Sequence, residues 1–360
     1  MRSRTNTRVA AVALAGLSLV TLATGAAEAG NGKPPSGSST GTGQVFFPNP
    51  VASLQNQSLT DQNDADYPAL APAYRTVTLT NLDGSGYLVG DWANIISETG
   101  NRAYSPTNTF IYRRNDDRFE QVMAYYWVTE TQKYIQSLGF GTGTYDPVNM
   151  ESQDLRINQW GADNSFSWDK KDMIKLGKGG VDDGEDADVI VHEYGHAVHD
   201  SQVEGFGTSI EAGAIGEAFG DYLAATVTNV VSGSDYQVPC IGDWDSVSYT
   251  TLTAEKPVHC LRRIDTNLTY ADRRGQVHYD GQIWSRALWD IRQALGHEKA
   301  DTVIIQAQFL FAPDTTFAAA ADHTINTAES IVFPDGTSLN DDEVDAVRQA
   351  FVDRGITVTE

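Results

Sequence analysis

Between residues 280 and 295, apolar side chains fall at Ile283, Trp284, Ala287, Leu288, Ile291 and Leu295. Steps of three and four put them on one stripe of a helix. The same reading predicts helices over 120–138, 188–203 and 212–231, and a last one near 341–354 whose acidic first turn suits the helix dipole. Upstream the period shortens to two. The stretches TVTLTNL at 76–82 and TFIYRR at 109–114 alternate as strands do. Thirty-two glycines and fifteen tyrosines add turns and β content. No internal repeat is visible. The pattern divides into a β-rich lobe, 44–186, and a mainly helical lobe, 187–360, with the helix at 188–203 at the junction. The expected fold class is α+β, two-lobed, with a cleft between the lobes.

The N-terminus carries another signal. A basic stretch from Arg2 to Arg8 leads into the apolar run Val9 to Ala23 and then Ala27-Glu28-Ala29, the pattern of a secretory signal peptide over 1–29. Its apolar run of about 15 residues falls short of the roughly 20 that a bilayer core demands. Residues 30–43, GNGKPPSGSSTGTG, read as a flexible Gly/Ser/Pro-rich segment. The expectation is a secreted, extracellular monomer with no membrane partner.

Composition narrows the function classes. With 41% hydrophobic and 20% charged residues, the 360-residue chain is globular. A chain this long buries about three quarters of its unfolded surface, so it needs no metal merely to fold, and a metal site would be functional. The formal net charge is −23, and setting aside 1–29 removes three arginines and one glutamate, leaving −25. Such a surface repels phosphate backbones and anionic headgroups, which excludes nucleic acid as a partner. Cys240 and Cys260 are the only cysteines. In an oxidising compartment an even pair reads as a disulfide; two buried thiols are the alternative.

The chemistry is concentrated at the junction. His192 and His196 stand at i and i+4, about 6 Å apart in rise on one helical face, where both rings can reach one ion at about 2.0–2.1 Å. Glu193 can then take a proton from a water beside that ion. A second predicted helix carries Glu217 and Asp221, again at i and i+4. Glu217 completes a two-histidine, one-carboxylate zinc site with an open position, and Asp221 can accept the other ring N–H of His192. His199 lies on the same face, but seven positions from His192 it is about 10 Å away in rise, too far to share the ion.

The segments HEYGHAVHD and GEAFGD, between Val189 and Ala224, resemble the thermolysin-like and fungalysin-like zinc metallopeptidases, the gluzincins. Asn164-Ser165-Phe166, Leu261-Arg262 and Val277-His278-Tyr-Asp-Gly-Gln-Ile follow the same order, so the resemblance spans roughly 160–295. It implies an endopeptidase acting on peptides or proteins with one zinc ion held by His192, His196 and Glu217. Glu193 would activate water, and His278 would stabilise the oxyanion with Asp272 orienting its ring. Asn164, Ser165 and Phe166 would form an edge strand that pairs with the substrate backbone, and Arg262 would hold a carbonyl. Val189 and Leu261 would line a pocket favouring a bulky apolar residue after the scissile bond.

The chain departs from this family in three places. No tyrosine stands between His196 and Glu217 to help bind the oxyanion, and the interval is one residue longer than in thermolysin. This leaves room for a different reading, a secreted zinc-containing pseudoenzyme that binds peptide without cleaving it. Asp188 matches a calcium ligand of thermolysin, but the partner glutamate is replaced by Thr228. The acidic run with Asp182, Asp183, Asp186 and Asp188 could build an oxygen-ligand calcium site or form a solvated loop.

Overall fold

A computed structural model describes residues 39–96, 101–158 and 160–359. The expected signal peptide and residues 30–38 of the flexible segment lie outside them. The remainder of that segment is ordered, because strand β1 begins at Ser39 and runs to Phe46. Its glycines serve close packing. A Cβ on Gly41 would sit 2.4 Å from the Asn108 carbonyl oxygen, and one on Gly43 would sit 2.8 Å from Val122 Cγ1.

β1 pairs antiparallel with β2 (Tyr74–Leu82), from Phe46 opposite Tyr74 to Gly41 opposite Leu79. On its other side it pairs in parallel with β4 (Thr109–Phe110), so this strand is far shorter than the alternation at 109–114 suggests. The chain turns away there because Arg114 is buried, its guanidinium bonded to Glu185 at 2.9 Å and to Asp61 at 2.6 Å. A second sheet has the order β3 (Ala93–Ile96), β5 (Gln153–Ile157), β7 (Met173–Leu176), β6 (Phe166–Trp168). The first three strands run parallel and β6 closes one edge in the antiparallel sense. A two-stranded ribbon joins β8 (Cys240–Ile241) to β9 (Arg262–Arg263), and the Cys240–Cys260 disulfide fastens it with 5.5 Å between the Cα atoms.

The helices are α1 (Pro50–Leu54), α2 (Arg118–Ser137), α3 (Ala187–Gln202), α4 (Ile210–Ser232), α5 (Val277–Leu295), α6 (His297–Gln308), α7 (Phe317–Ser330) and α8 (Asp341–Val352). Helix α2 is buried on nearly every side, as a helix between layers must be. One apolar core runs from Val45 on β1 through α2, α3 and α4 to Ile356, so strand-rich and helix-rich lobes share an interior. Among the described residues no helix is long and apolar enough to cross a membrane.

Two caps aim the central helices. The Asp186 side chain accepts from Asp188 N to start α3, and Ser209 accepts from Ala212 N to start α4. Gly195 of α3 faces Gly220 of α4, where a Cβ on Gly195 would lie 2.9 Å from the Gly220 Cα. Without side chains at this crossing the helix axes come close, and residues one turn either way meet across the seam.

Candidate active site

His192 and His196 leave α3 on the side of α4, where Glu217 meets them. The two Nε2 atoms are 3.3 Å apart, Glu217 Oε2 is 3.3 Å from His192 Nε2, and Glu217 Oε1 is 3.8 Å from His196 Nε2. Ligands bound tetrahedrally at about 2.05 Å would be about 3.4 Å apart. The donor set therefore fits zinc. Its tautomers agree: Asp221 Oδ1 lies 2.9 Å from His192 Nδ1, which places the proton there and leaves the Nε2 lone pair facing His196. A shared cation relieves what would otherwise be a cluster of facing lone pairs.

Asp221 is held in turn. Arg262, from β9, donates to both its oxygens at 2.7 Å. Burial opposes the charge on Asp221, but Arg262 and then His192 hold its carboxyl down at about 2. Burial likewise works against a charged His192; the Asp221 and Glu217 carboxylates outweigh it and, among the protein's own groups, carry the ring up to about 10. His196 has less help, and burial and the His192 charge take it down to about 4 despite Glu217. Glu217 stays below the ordinary carboxylate range because the histidines overcome its burial.

Glu193 is buried beside this trio, and its Oε2 has no hydrogen-bond partner. Burial raises its pKa to about 7, helped by the charges of Glu217 and Asp183 against the pull of His192. A carboxylate with that pKa can both accept and return a proton near neutrality. His278, at the first turn of α5, brings Nε2 to 3.3 Å from Glu217 Oε2 and remains half exposed to the cleft. Its burial pulls its pKa down.

The cleft has a volume of about 540 Å³, and its lining includes Asn164, Ser165, Phe166, Val189, Leu261 and Arg262, all expected from sequence. Asp272 is elsewhere. Its carboxylate closes a capping box, accepting from the Thr269 N–H and hydroxyl at 2.8 Å each, and is committed to that turn. The side chain beside the His278 ring is Gln276, whose Nε2 is 2.9 Å from Nδ1. Gln276 also caps α5, and being uncharged it gave no sign in the sequence of its place beside the histidine.

The acidic run is neither a solvated loop nor a single calcium site. Its residues are buried and point three ways. Asp186 and Asp188 meet Asp243, Asp183 meets Asp163 and Asp245, and Asp182 accepts from Asn158 at 2.8 Å. Neutral donors hold the Asp186 group in place: Asn49 donates to Asp186 at 3.1 Å and to Asp243 at 2.5 Å, while Thr228 donates to Asp188 at 2.9 Å. His199 is buried and stacked on Phe206 at 3.7 Å between centroids, and it does not join the zinc trio. Asp163, Ile241, Asp245 and Tyr249 also line the cleft, and no local motif marks them. Tyr249 does not stand in for the oxyanion tyrosine, since its hydroxyl is engaged by Asp245 at 2.5 Å.

An α+β fold with two histidines and a glutamate on crossing helices, and a free buried carboxylate beside them, defines a metal-dependent hydrolase. The family model of the fungalysin metallopeptidases (M36) matches residues 94–356, and the chain belongs to that family. It is a zinc metalloendopeptidase by membership. The fold is similar to that of the precursor of protealysin, a metalloproteinase from Serratia proteamaculans, with a TM-score of 0.50 and 20% identity, covering 65% of this chain and 78% of that one. No curated protein matches.

Proposed function

We propose that the chain is a secreted endopeptidase in which Glu193 is the general base. The observation that carries this reading is the buried, unpartnered Oε2 of Glu193 beside the zinc trio, on a carboxyl raised to about 7. Zinc, when bound by His192, His196 and Glu217, polarises the scissile carbonyl and lowers the pKa of water. Glu193 takes the proton from the attacking water and gives it to the departing amine. His278 and Arg262, both facing the cleft, donate to the oxygen on which charge develops. The substrate backbone adds to the sheet edge at β6, where Asn164, Ser165 and Phe166 line the cleft. Secretion is supported by the signal-peptide pattern at 1–29.

Val189, Ile241 and Leu261 give one wall the apolar surface that suits a bulky side chain after the scissile bond. The reading is tested by Glu193→Gln. Zinc content should stay at one per chain while hydrolysis of casein falls by about a thousandfold or more. A variant that retains parental turnover would remove Glu193 from the mechanism.

A further inference from the structure

One wall of the cleft is acidic in a way that backbone binding and zinc chemistry do not use. Asp163, Asp183 and Asp245 come from three separate segments and line the same cavity as Val189, Glu193 and Leu261. One carboxylate oxygen from each lies within 4.8 Å of the others. Asp183 and Asp245 are only 3% and 5% exposed. On each, one oxygen has a donor: the Ser165 hydroxyl donates to Asp183 Oδ2, and the Tyr249 hydroxyl donates to Asp245 Oδ2. The other oxygen, Oδ1 in both, is buried with no hydrogen-bond partner.

Leaving such oxygens bare is costly. Burial, reinforced by the charges of neighbouring aspartates, pushes Asp183 up to about 7 and Asp245 well above the carboxylate range. The backbone is shaped to permit this crowding. Gly180 has φ +71°, and a Cβ there would lie 2.6 Å from Asp163 Oδ2. The chain thus gathers carboxyl groups in this wall and leaves two buried oxygens without a donor, an arrangement that a neighbouring cation would stabilise in its ionised form.

We propose that this wall is the subsite for the residue after the scissile bond and that it selects lysine or arginine there. The proposal rests on the endopeptidase reading above and narrows its substrate class. The methylene stem of either side chain packs along Val189, Ile241 and Leu261, as such stems do, and its charged head pairs with the carboxylates of the Asp163, Asp183 and Asp245 cluster. Asp183 acts electrostatically on Glu193, so the cluster adjoins the reacting centre. A bulky apolar side chain would fill the same space and leave both carboxylates without a partner. Calcium, which takes six to eight oxygens, is the rival occupant of the same three carboxylates, and counting divalent ions separates the two.

The test compares zinc-loaded enzyme on matched peptides that carry arginine, lysine, citrulline or leucine after the scissile bond. Arginine and lysine should exceed citrulline and leucine in kcat/KM by about tenfold or more. In the double variant Asp183→Asn, Asp245→Asn the arginine-to-citrulline ratio should fall to near one, with zinc content and far-UV circular dichroism confirming the fold. Faster cleavage of the leucine peptide, or a ratio the double variant leaves intact, overturns the proposal. So does a second divalent ion per chain, released by the double variant, without preference for basic peptides. If no peptide is cleaved, the endopeptidase reading fails on its own account. Hydroxamate ligands bearing arginine or citrulline side chains then read the pocket directly: tighter binding of the arginine form sustains the proposal, and equal binding overturns it.

Discussion

Asp221 shows how one side chain sets a metal site it does not ligate. It accepts from His192 on one side and from Arg262 on the other, so removing its charge loosens a ligand and leaves a mostly covered guanidinium without its carboxylate. Asp221→Asn should weaken zinc binding by about 10- to 100-fold, measured by competition with a chromophoric chelator. Unchanged affinity would mean that His192 is oriented by packing alone. Asp221 was readable in the sequence because it stands one helical turn after Glu217, which fixes its direction whatever the tertiary structure. Asp272 was misread for the complementary reason: sequence proximity to His278 says nothing of direction in a loop, and the nearer demand was the capping of Thr269. The pairing of Asp183 with Asp245 could not be read at all, since no periodicity relates positions 62 apart.

At the scale of elements, the α3–α4 seam is what turns two short motifs into a site. A Cβ at position 220 would lie 2.7 Å from His192 Nδ1, and one at 195 would press on the Gly220 backbone. Both changes overpack the crossing, which costs about 1–3 kcal/mol, but they act on different atoms. Gly195→Ala should chiefly lower the thermal midpoint, whereas Gly220→Ala should also displace the ring and lose zinc affinity. Zinc titration beside calorimetry separates the two; identical effects would show that the seam merely spaces the helices. The sequence located α2, α3, α4, α5 and α8 nearly to their ends, because large apolar side chains marked their buried faces. Helices α6 and α7 were missed. The buried face of α7 is largely Ala and Thr, as at Ala320, Ala321, Thr324 and Ala328, and contrasts too little with the exposed side to show a period, while α6 buries the consecutive run Val303, Ile304 and Ile305, which has no helical spacing. The parallel strands β3, β5 and β7 are four or five residues long, too short for alternation to stand out.

For the whole molecule, an excess of 48 acidic over 25 basic residues meets an interior that already holds carboxylates, and the two together set the response to pH. Burial lifts Asp182 to about 8 and Asp183 to about 7, and also raises Asp188 and Glu185. The unfolded chain releases these protons near pH 4, so the folded state binds more protons throughout the interval up to the raised values. Stability contributed in this way is complete below the unfolded pKa and is lost as pH rises through the folded one. His196 and His199 work in the opposite sense, because burial lowers them to about 4 and about 3; their contribution declines as pH falls below about 6.5. The two effects therefore compete below that point and leave the carboxylates unopposed above it. The thermal midpoint should fall between pH 6.5 and 8, and added salt should leave that fall largely intact, because the charges that produce it are buried and weakly screened. Chelation sharpens the expectation. His192, raised to about 10 by Asp221 and Glu217 against its burial, keeps a proton that the unfolded chain has lost, and zinc replaces that proton. Scanning calorimetry should accordingly find a steeper decline after treatment with chelator than in excess zinc. A midpoint that rises across this interval in both conditions would show that the acidic interior is neutralised by a cation bound independently of the zinc site.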